Sequence, residues 1–119
     1  MIAIGVDIVE IERVELAIRR RGERFLNRIY TETELKICQD RFLSLAARFA
    51  AKEAVMKVLG TGGRGIAWRD IEILTSGDGK PSVKLHGQAL SKATELNLRE
   101  ISISLSDSKQ HAIAIAIGM

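Results

Sequence analysis

The 119-residue sequence is poor in cysteine, proline and aromatic residues and has no long apolar run. Because Cys38 is its one cysteine, the chain cannot form an internal disulfide, and we expect a reducing, cytoplasmic environment. No apolar run approaches the roughly 18 residues of a transmembrane helix, so no membrane-spanning segment is expected. The opening MIAIGVDIVEIER lacks a basic segment ahead of an apolar one, so we expect no secretory signal peptide.

The sequence also lacks a strong excess of one charge, since 18 Lys and Arg stand against 15 Asp and Glu. The net charge of +3 permits an anionic partner without identifying it. Basic residues concentrate in RRRGERFLNR, residues 19–28, where five arginines accompany one acid. A nucleic-acid-binding module is one alternative for this segment. With aromatics at only 4% of the chain, few side chains could stack on bases, so we expect no nucleic acid partner.

The length predicts one domain spanning residues 1–119. In the first half, IAIGVDIV (2–9) alternates two mostly apolar faces and predicts a strand buried on both sides. Helical spacing of apolar residues over about 12–30 predicts a helix interrupted at Gly22. The capping box TETE (31–34) begins a second helix, and a third is predicted over about 45–59.

The second half of the chain is predicted to be mostly strands. A hairpin is expected from AWRDIEIL and SVKLHG, then a short helix QALSKATELN, then two strands ISISLS and AIAIAI joined by a turn at about 108–110. The fold class is therefore α+β, with a mostly antiparallel sheet, strand one added to that same sheet, and helices packed on one side.

Two acidic residues indicate a functional site. Asp7 lies inside the apolar first strand, where a carboxylate must be paired, protonated or bound to a cation. In the third helix, Phe49, Glu53 and Lys57 recur every four residues and share the face opposite the alanine-rich core face. Asp7 and Glu53 together would form an oxygen-only site that suits Mg²⁺. Two simpler interpretations remain open: a solvated Glu53–Lys57 pair, and Asp7 bound to an arginine or to backbone.

The glycine-rich GTGGRG, residues 60–65, follows the third helix. It matches G-x-G-x-x-G, but the dinucleotide-binding motif follows a strand and opens a helix, so we reject that match. Gly60 fits a helix C-cap. The other glycines would let backbone N–H groups approach an anion, with Lys57 and Arg64 adding positive charge.

Four segments, in this order, carry a resemblance to a known family: GVDIVEIER, RFAAKEAVMKVLGTG, GKP and SLSDSKQHAIAIAI. The sequence resembles the holo-acyl carrier protein synthases, the small trimeric class of 4′-phosphopantetheinyl transferases, over nearly its whole length. The resemblance implies Mg²⁺-dependent transfer of 4′-phosphopantetheine from coenzyme A to a serine of apo-acyl carrier protein. It also implies adenosine 3′,5′-bisphosphate as the second product, and a homotrimer with active sites between protomers.

The resemblance further implies roles for individual residues. Asp7 and Glu53 match the Mg²⁺ ligands, and Glu53 and Lys57 are expected to take part in catalysis. The residues expected to hold coenzyme A are Arg48, Phe49, Lys57, Gly60, Thr61 and Gly62. The expected docking surface for the acidic carrier protein consists of Arg13, Arg20, Arg24 and Arg28, although a solvated basic face is the alternative.

One position departs from the family pattern, because Ser106-Asp107 stands where the family commonly has Ser-His. We expect Asp107 to act as an outer-shell acceptor or a third metal ligand. His111 is expected to be a surface residue beyond a turn, and His86 a strand residue with no role. A catalytically altered member of the family remains an alternative.

Overall fold

The computed structural model describes residues 1–60, 62 and 64–119. Its elements in chain order are β1 Ala3–Glu10, α1 Ile11–Arg21, α2 Glu23–Ile29, α3 Glu32–Cys38, α4 Phe42–Leu59, a 3₁₀ turn Trp68–Asp70, β2 Ile71–Thr75, β3 Pro81–Leu85, α5 Gly87–Glu95, β4 Ile101–Asp107 and β5 His111–Gly118. Every helix in the described part of the chain is too short or too polar to cross a lipid bilayer.

The predicted α+β class is confirmed, and so are two local features of the helices. Gly22 divides α1 from α2 with a positive φ of 58°. Thr31 caps α3: its Oγ1 accepts a hydrogen bond from the Glu34 amide, and Glu34 Oε1 accepts one from the Thr31 amide, at 2.8 Å. The capping box therefore stops the preceding segment and starts the next helix, as the sequence predicts.

The two largest boundary errors lie at the starts of α4 and β2. Helix α4 begins at Phe42 rather than near residue 45. The strand predicted for AWRDIEIL begins only at Ile71, because Asp70 Oδ2 accepts a hydrogen bond from the Ala67 amide and closes a 3₁₀ turn.

The strands form two antiparallel sheets rather than one. The first has the order β1-β5-β4, so the N-terminal strand joins the last two strands, as predicted. The β2–β3 hairpin is a separate two-stranded sheet, which corrects the single-sheet prediction. The reason is that the backbone groups of β2 that could pair with another strand are bound by side chains instead. Arg48 Nε donates a hydrogen bond to the Ile73 carbonyl, and Glu34 accepts one from the Ile73 amide.

Helix α4 packs on the inner face of the three-stranded sheet at very short range. Its predicted core face is confirmed, with Ala50, Ala54 and Val55 fully buried. A Cβ atom at Gly5 would overlap the Ala54 carbonyl oxygen and lie 3.0 Å from Lys57 Cβ. Because no side chain fits there, β1 and α4 approach each other more closely than a residue larger than glycine allows.

The outer face of the same sheet is exposed. Ile4, Val6 and Ile8 of β1 are 63%, 55% and 59% exposed, and Ile113 and Ile115 of β5 lie beside them on this face. The prediction that β1 is buried on both sides is therefore wrong for the single chain, because the helices cover only the inner face. A contiguous apolar strip of this kind is typical of a contact surface.

We predict that Gly5→Ala lowers the free energy of unfolding by about 3 kcal/mol or more, because the added methyl group must displace backbone. Urea unfolding followed by circular dichroism measures this change. Gly77→Ala is the matched control, since a Cβ there meets no atom within 4 Å, and its effect should stay within about 0.5 kcal/mol. Equal effects of the two substitutions would contradict the close packing of β1 on α4.

Candidate active site

The two predicted metal-binding carboxylates lie in one cavity. Asp7 projects from the inner face of β1, where its side chain is only 14% exposed, and Glu53 projects from the facing side of α4. Both line a cavity of about 430 Å³, together with Arg13, Phe49 and His111. The strand alternation puts Asp7 on the same face as Gly5, so the close helix packing brings it to α4.

Lys57 links the helix to the strand. Its Nζ lies 3.2 Å from Asp7 Oδ1 and donates a hydrogen bond of 2.7 Å to the Val6 carbonyl. Asp7 is therefore paired with a lysine of α4, rather than with the arginine or backbone group of the simpler interpretation. The Lys57 side chain remains half exposed.

The electrostatics of the cavity favour a cation. Burial and the neighbouring Asp7 carboxylate raise the pKa of Glu53 above its ordinary value, while Lys57 and Arg13 act in the opposite direction. Burial and the second carboxylate therefore outweigh the two nearby cations at Glu53. Two adjacent carboxylates of this kind form the hard, oxygen-only donor set that Mg²⁺ prefers, so the residues fit that ion.

No third protein ligand accompanies this pair within the described ranges, where no group of three or more His, Cys, Asp or Glu is placed to hold a metal. Mg²⁺ commonly binds through one or two carboxylates and takes its other ligands from water and substrate phosphate. The arrangement therefore suits a metal that is shared with a phosphorylated substrate.

A second cavity, of about 400 Å³, adjoins the first at Glu53. It is lined by Glu53, Met56, Lys57, Gly62, Ile66 and Trp68. Gly60 caps α4 in the left-handed conformation, with φ 74°, so its predicted C-cap geometry is confirmed. Gly62 and Lys57 both line this second cavity. The predicted role of Thr61 lies outside the described residues.

The arginines of α1 and α2 form a third cavity, of about 560 Å³. Arg20, Arg24 and Arg28 all line it, with Arg21 added to the predicted set. Arg13 does not: it lies near the start of α1, directly after β1, and lines the carboxylate cavity instead. The expected four-residue docking surface is therefore divided between two cavities.

An aromatic stack separates these cavities. Phe49 stacks on Trp68 with ring centroids 4.9 Å apart, and on Phe25 at 6.3 Å. The stack lines all three cavities: Phe25 and Phe49 the first, all three rings the arginine cavity, and Trp68 the second. Sequence reasoning missed Trp68 and Phe25; the available signal was that Trp68, the one tryptophan, directly follows the glycine-rich segment.

Two predicted site residues are not brought to the carboxylates. Arg48 is buried, and its guanidinium binds the Ile73 carbonyl and the Thr75 hydroxyl, at 3.2 and 2.6 Å. It holds the β2–β3 hairpin rather than opening into a cavity. Asp107 ends β4 and lies outside the cavity of Asp7, because β5 separates β4 from β1.

The two histidines differ from their predicted settings. His111 is half-buried and lines the edge of the carboxylate cavity, rather than standing free on the surface. His86 follows β3 and lies 3.0 Å from Glu72 Oε1 through its Nε2, so it takes part in a contact between the hairpin strands.

The profile of the 4′-phosphopantetheinyl transferase superfamily matches residues 3–116. The chain belongs to this superfamily. Its curated relatives include the "Holo-[acyl-carrier-protein] synthase" of Dehalococcoides mccartyi, 51% identical over 117 residues and covering 98% of both chains. The protein of the same name from Herpetosiphon aurantiacus is 48% identical and covers 100% of this chain and 99% of its own.

Solved structures of the superfamily share the fold. The holo-[acyl-carrier-protein] synthase of Neisseria meningitidis superposes with a TM-score of 0.89 at 38% identity, covering 100% of this chain and 99% of its own. The Helicobacter pylori enzyme of that name, solved in complex with coenzyme A, has a TM-score of 0.87 at 34% identity, with 98% and 99% covered.

We predict that Glu53→Gln stabilises the protein at pH 7 in the presence of EDTA, by roughly 0.5 kcal/mol after allowance for solvent screening. Because the pKa of Glu53 is raised in the folded state, Glu53 contributes to stability at low pH, where its carboxyl group is protonated. That contribution is lost as the pH rises from the unfolded pKa through the folded one. The neutral isostere avoids this loss.

Urea unfolding at pH 7 and at pH 4 tests the effect, and the gain should shrink at the lower pH. Asp7→Asn is the comparison, since it removes the partner of Lys57 and should give no gain. A lower stability of Glu53→Gln at pH 7 would contradict the electrostatic account.

Proposed function

We propose that the chain is a holo-acyl carrier protein synthase, which transfers 4′-phosphopantetheine from coenzyme A to a serine of apo-acyl carrier protein in a Mg²⁺-dependent reaction. The observation that carries the proposal is the convergence of Asp7 and Glu53 in one cavity, with Lys57 bound to Asp7 and lining a second cavity together with Gly62. Relatives named for this activity match over 98% of the chain.

Each residue of the cavity has a distinct part in such a transfer. Asp7 and Glu53 would hold Mg²⁺, which when bound supplies charge neutralisation at the diphosphate. Lys57, fixed through the Val6 carbonyl, places a second positive charge beside the phosphates. Phosphoryl transfer depends mostly on such positioning and neutralisation.

The bond changes follow from the substrates. The serine oxygen attacks the phosphorus next to the pantetheine arm, and the bond from that phosphorus to the leaving adenosine 3′,5′-bisphosphate breaks. The serine proton must go to a base in the cavity. Glu53 and a water molecule of the same site are the two candidate bases.

The arginine cavity supplies a surface for the carrier protein. Arg20, Arg24 and Arg28 are exposed, and they share a cavity with Phe25. Acidic carrier proteins would be attracted to this charge, which raises the rate of encounter. We favour a carrier of fatty acid synthesis as the substrate.

The exposed outer face of the sheet supports a homotrimer. The apolar side chains of Ile4, Val6 and Ile8 stand uncovered in the single chain. Packing of further copies on this face would remove them from water. We propose that residues 1–119 act as one catalytic domain of such an assembly, in the cytoplasm.

Incubation of the protein with coenzyme A, Mg²⁺ and apo-acyl carrier protein should raise the mass of the carrier by one phosphopantetheine group. We predict that Asp7→Ala and Glu53→Ala each reduce the rate at least about 100-fold, because each removes a carboxylate that would hold the Mg²⁺ needed to neutralise the diphosphate. Glu32→Ala, an exposed acid on α3, should leave the rate unchanged. Absence of the mass gain with the unmodified protein would contradict the proposal.

Charge reversal tests the docking surface separately. Arg20→Glu and Arg24→Glu should raise the KM for carrier protein about tenfold, with little effect on the KM for coenzyme A. Arg99→Glu reverses an exposed arginine outside the arginine cavity and should change neither constant. Equal increases in the KM for carrier protein and the KM for coenzyme A would contradict a docking role of these arginines.

A further inference from the structure

A buried ion pair lies directly behind the active-site face of α4. Lys52 and Glu34 have fully buried side chains, and Lys52 Nζ lies 2.8 Å from Glu34 Oε1. Lys52 immediately precedes Glu53, so consecutive residues of one helix point into the core and into the cavity. The cavities described above do not include either member of the pair.

Both members of the pair also form hydrogen bonds with backbone groups. Lys52 Nζ donates hydrogen bonds to the carbonyls of Trp68 and Ile71, at 3.1 and 2.5 Å. Glu34 accepts from the Ile73 amide through Oε2, at 2.8 Å. The ion pair therefore fixes the segment from the 3₁₀ turn into β2 against α3 and α4.

The hydrogen bond from Lys52 to the Trp68 carbonyl matters because Trp68 lines two of the cavities. Trp68 is where the chain returns from the glycine-rich segment, and its ring is both a wall of the second cavity and the end of the aromatic stack. At the other end of the segment, Gly60 is fixed by the α4 C-cap. Lys52 thus anchors the backbone at Trp68, which lines the second cavity together with Lys57.

We propose that Lys52 and Glu34 are positioning residues for coenzyme A, which act through the Trp68 carbonyl to set the wall of the cavity beside Lys57. This inference rests on the proposed function for the identity of the ligand. The placement of Trp68 does not depend on it.

A purely stabilising role does not require charges at this position. The cost of removing two charges from water offsets much of their attraction, and well-packed neutral side chains can replace such a pair with little loss of stability. An ammonium group that also donates to two backbone carbonyls gives a directional constraint that an apolar side chain cannot give. The pair therefore contributes geometry more than stability.

The test uses the double variant Lys52→Met/Glu34→Gln, which removes both charges together and leaves no unpaired charge in the core. Because Trp68 is the one tryptophan, its fluorescence reports its own surroundings. We expect a red shift of Trp68 emission, easier quenching by acrylamide, and a dissociation constant for coenzyme A, measured by calorimetry, that is about tenfold higher.

Tyr30→Phe is the matched control. It removes another buried hydrogen bond of the same core, from the Tyr30 hydroxyl to the Leu45 carbonyl, a bond that involves neither Trp68 nor Lys52. It should lower stability while leaving Trp68 emission and coenzyme A affinity unchanged. Should the first double variant not fold, Lys52→Leu/Glu34→Gln gives the same two measurements.

Unchanged emission and unchanged affinity in a folded double variant would overturn the inference and leave the pair a structural element only. If the unmodified protein fails to bind coenzyme A, the proposed function is wrong. In that case the shift in Trp68 emission alone decides whether Lys52 positions this segment.

Discussion

The site depends on the contact between Gly5 of β1 and the Ala54 backbone of α4. Because a strand alternates its faces, the residue two positions after Gly5 meets the same helix, and that residue is Asp7. Because a helix repeats after about 3.6 residues, Glu53 and Lys57 flank the point of contact. Any side chain larger than hydrogen at position 5 would separate the strand from the helix, and with them the carboxylate from its lysine partner.

Helix α4 carries two kinds of charged residue on neighbouring stripes. Arg48 and Lys52, one turn apart, turn inward and bind the backbone around β2. Glu53 and Lys57, also one turn apart, turn toward β1 and the cavities. Arg48 and Lys52 fix the β2–β3 hairpin and the 3₁₀ turn. Glu53 and Lys57 supply the carboxylate and the ammonium group of the cavities, so one helix positions both parts of the site.

The sequence predicts the parts of this arrangement that follow from local periodicity. Asp7 is conspicuous as a charge within an apolar strand, and the shared face of Glu53 and Lys57 follows from helical spacing. The direction of Arg48 does not, because a buried arginine and an exposed one look alike until β2 supplies the carbonyl that it binds. The distance of Asp107 from the site follows from the strand order, which places β5 between β4 and β1; no local pattern contains that order.

Strand β1 joins the chemistry to the outer surface of the fold. Its inner face carries Asp7, and its outer face carries Val6 and Ile8 on either side. The register with β5, in which Asp7 pairs with Ala114, keeps the two sets apart, since a shift of one residue would exchange the faces. Copies of the chain that cover the outer face would therefore press on the same strand that presents Asp7 to Lys57. Contacts that hold β1 flat against α4 would restrict the position of the carboxylate without touching it.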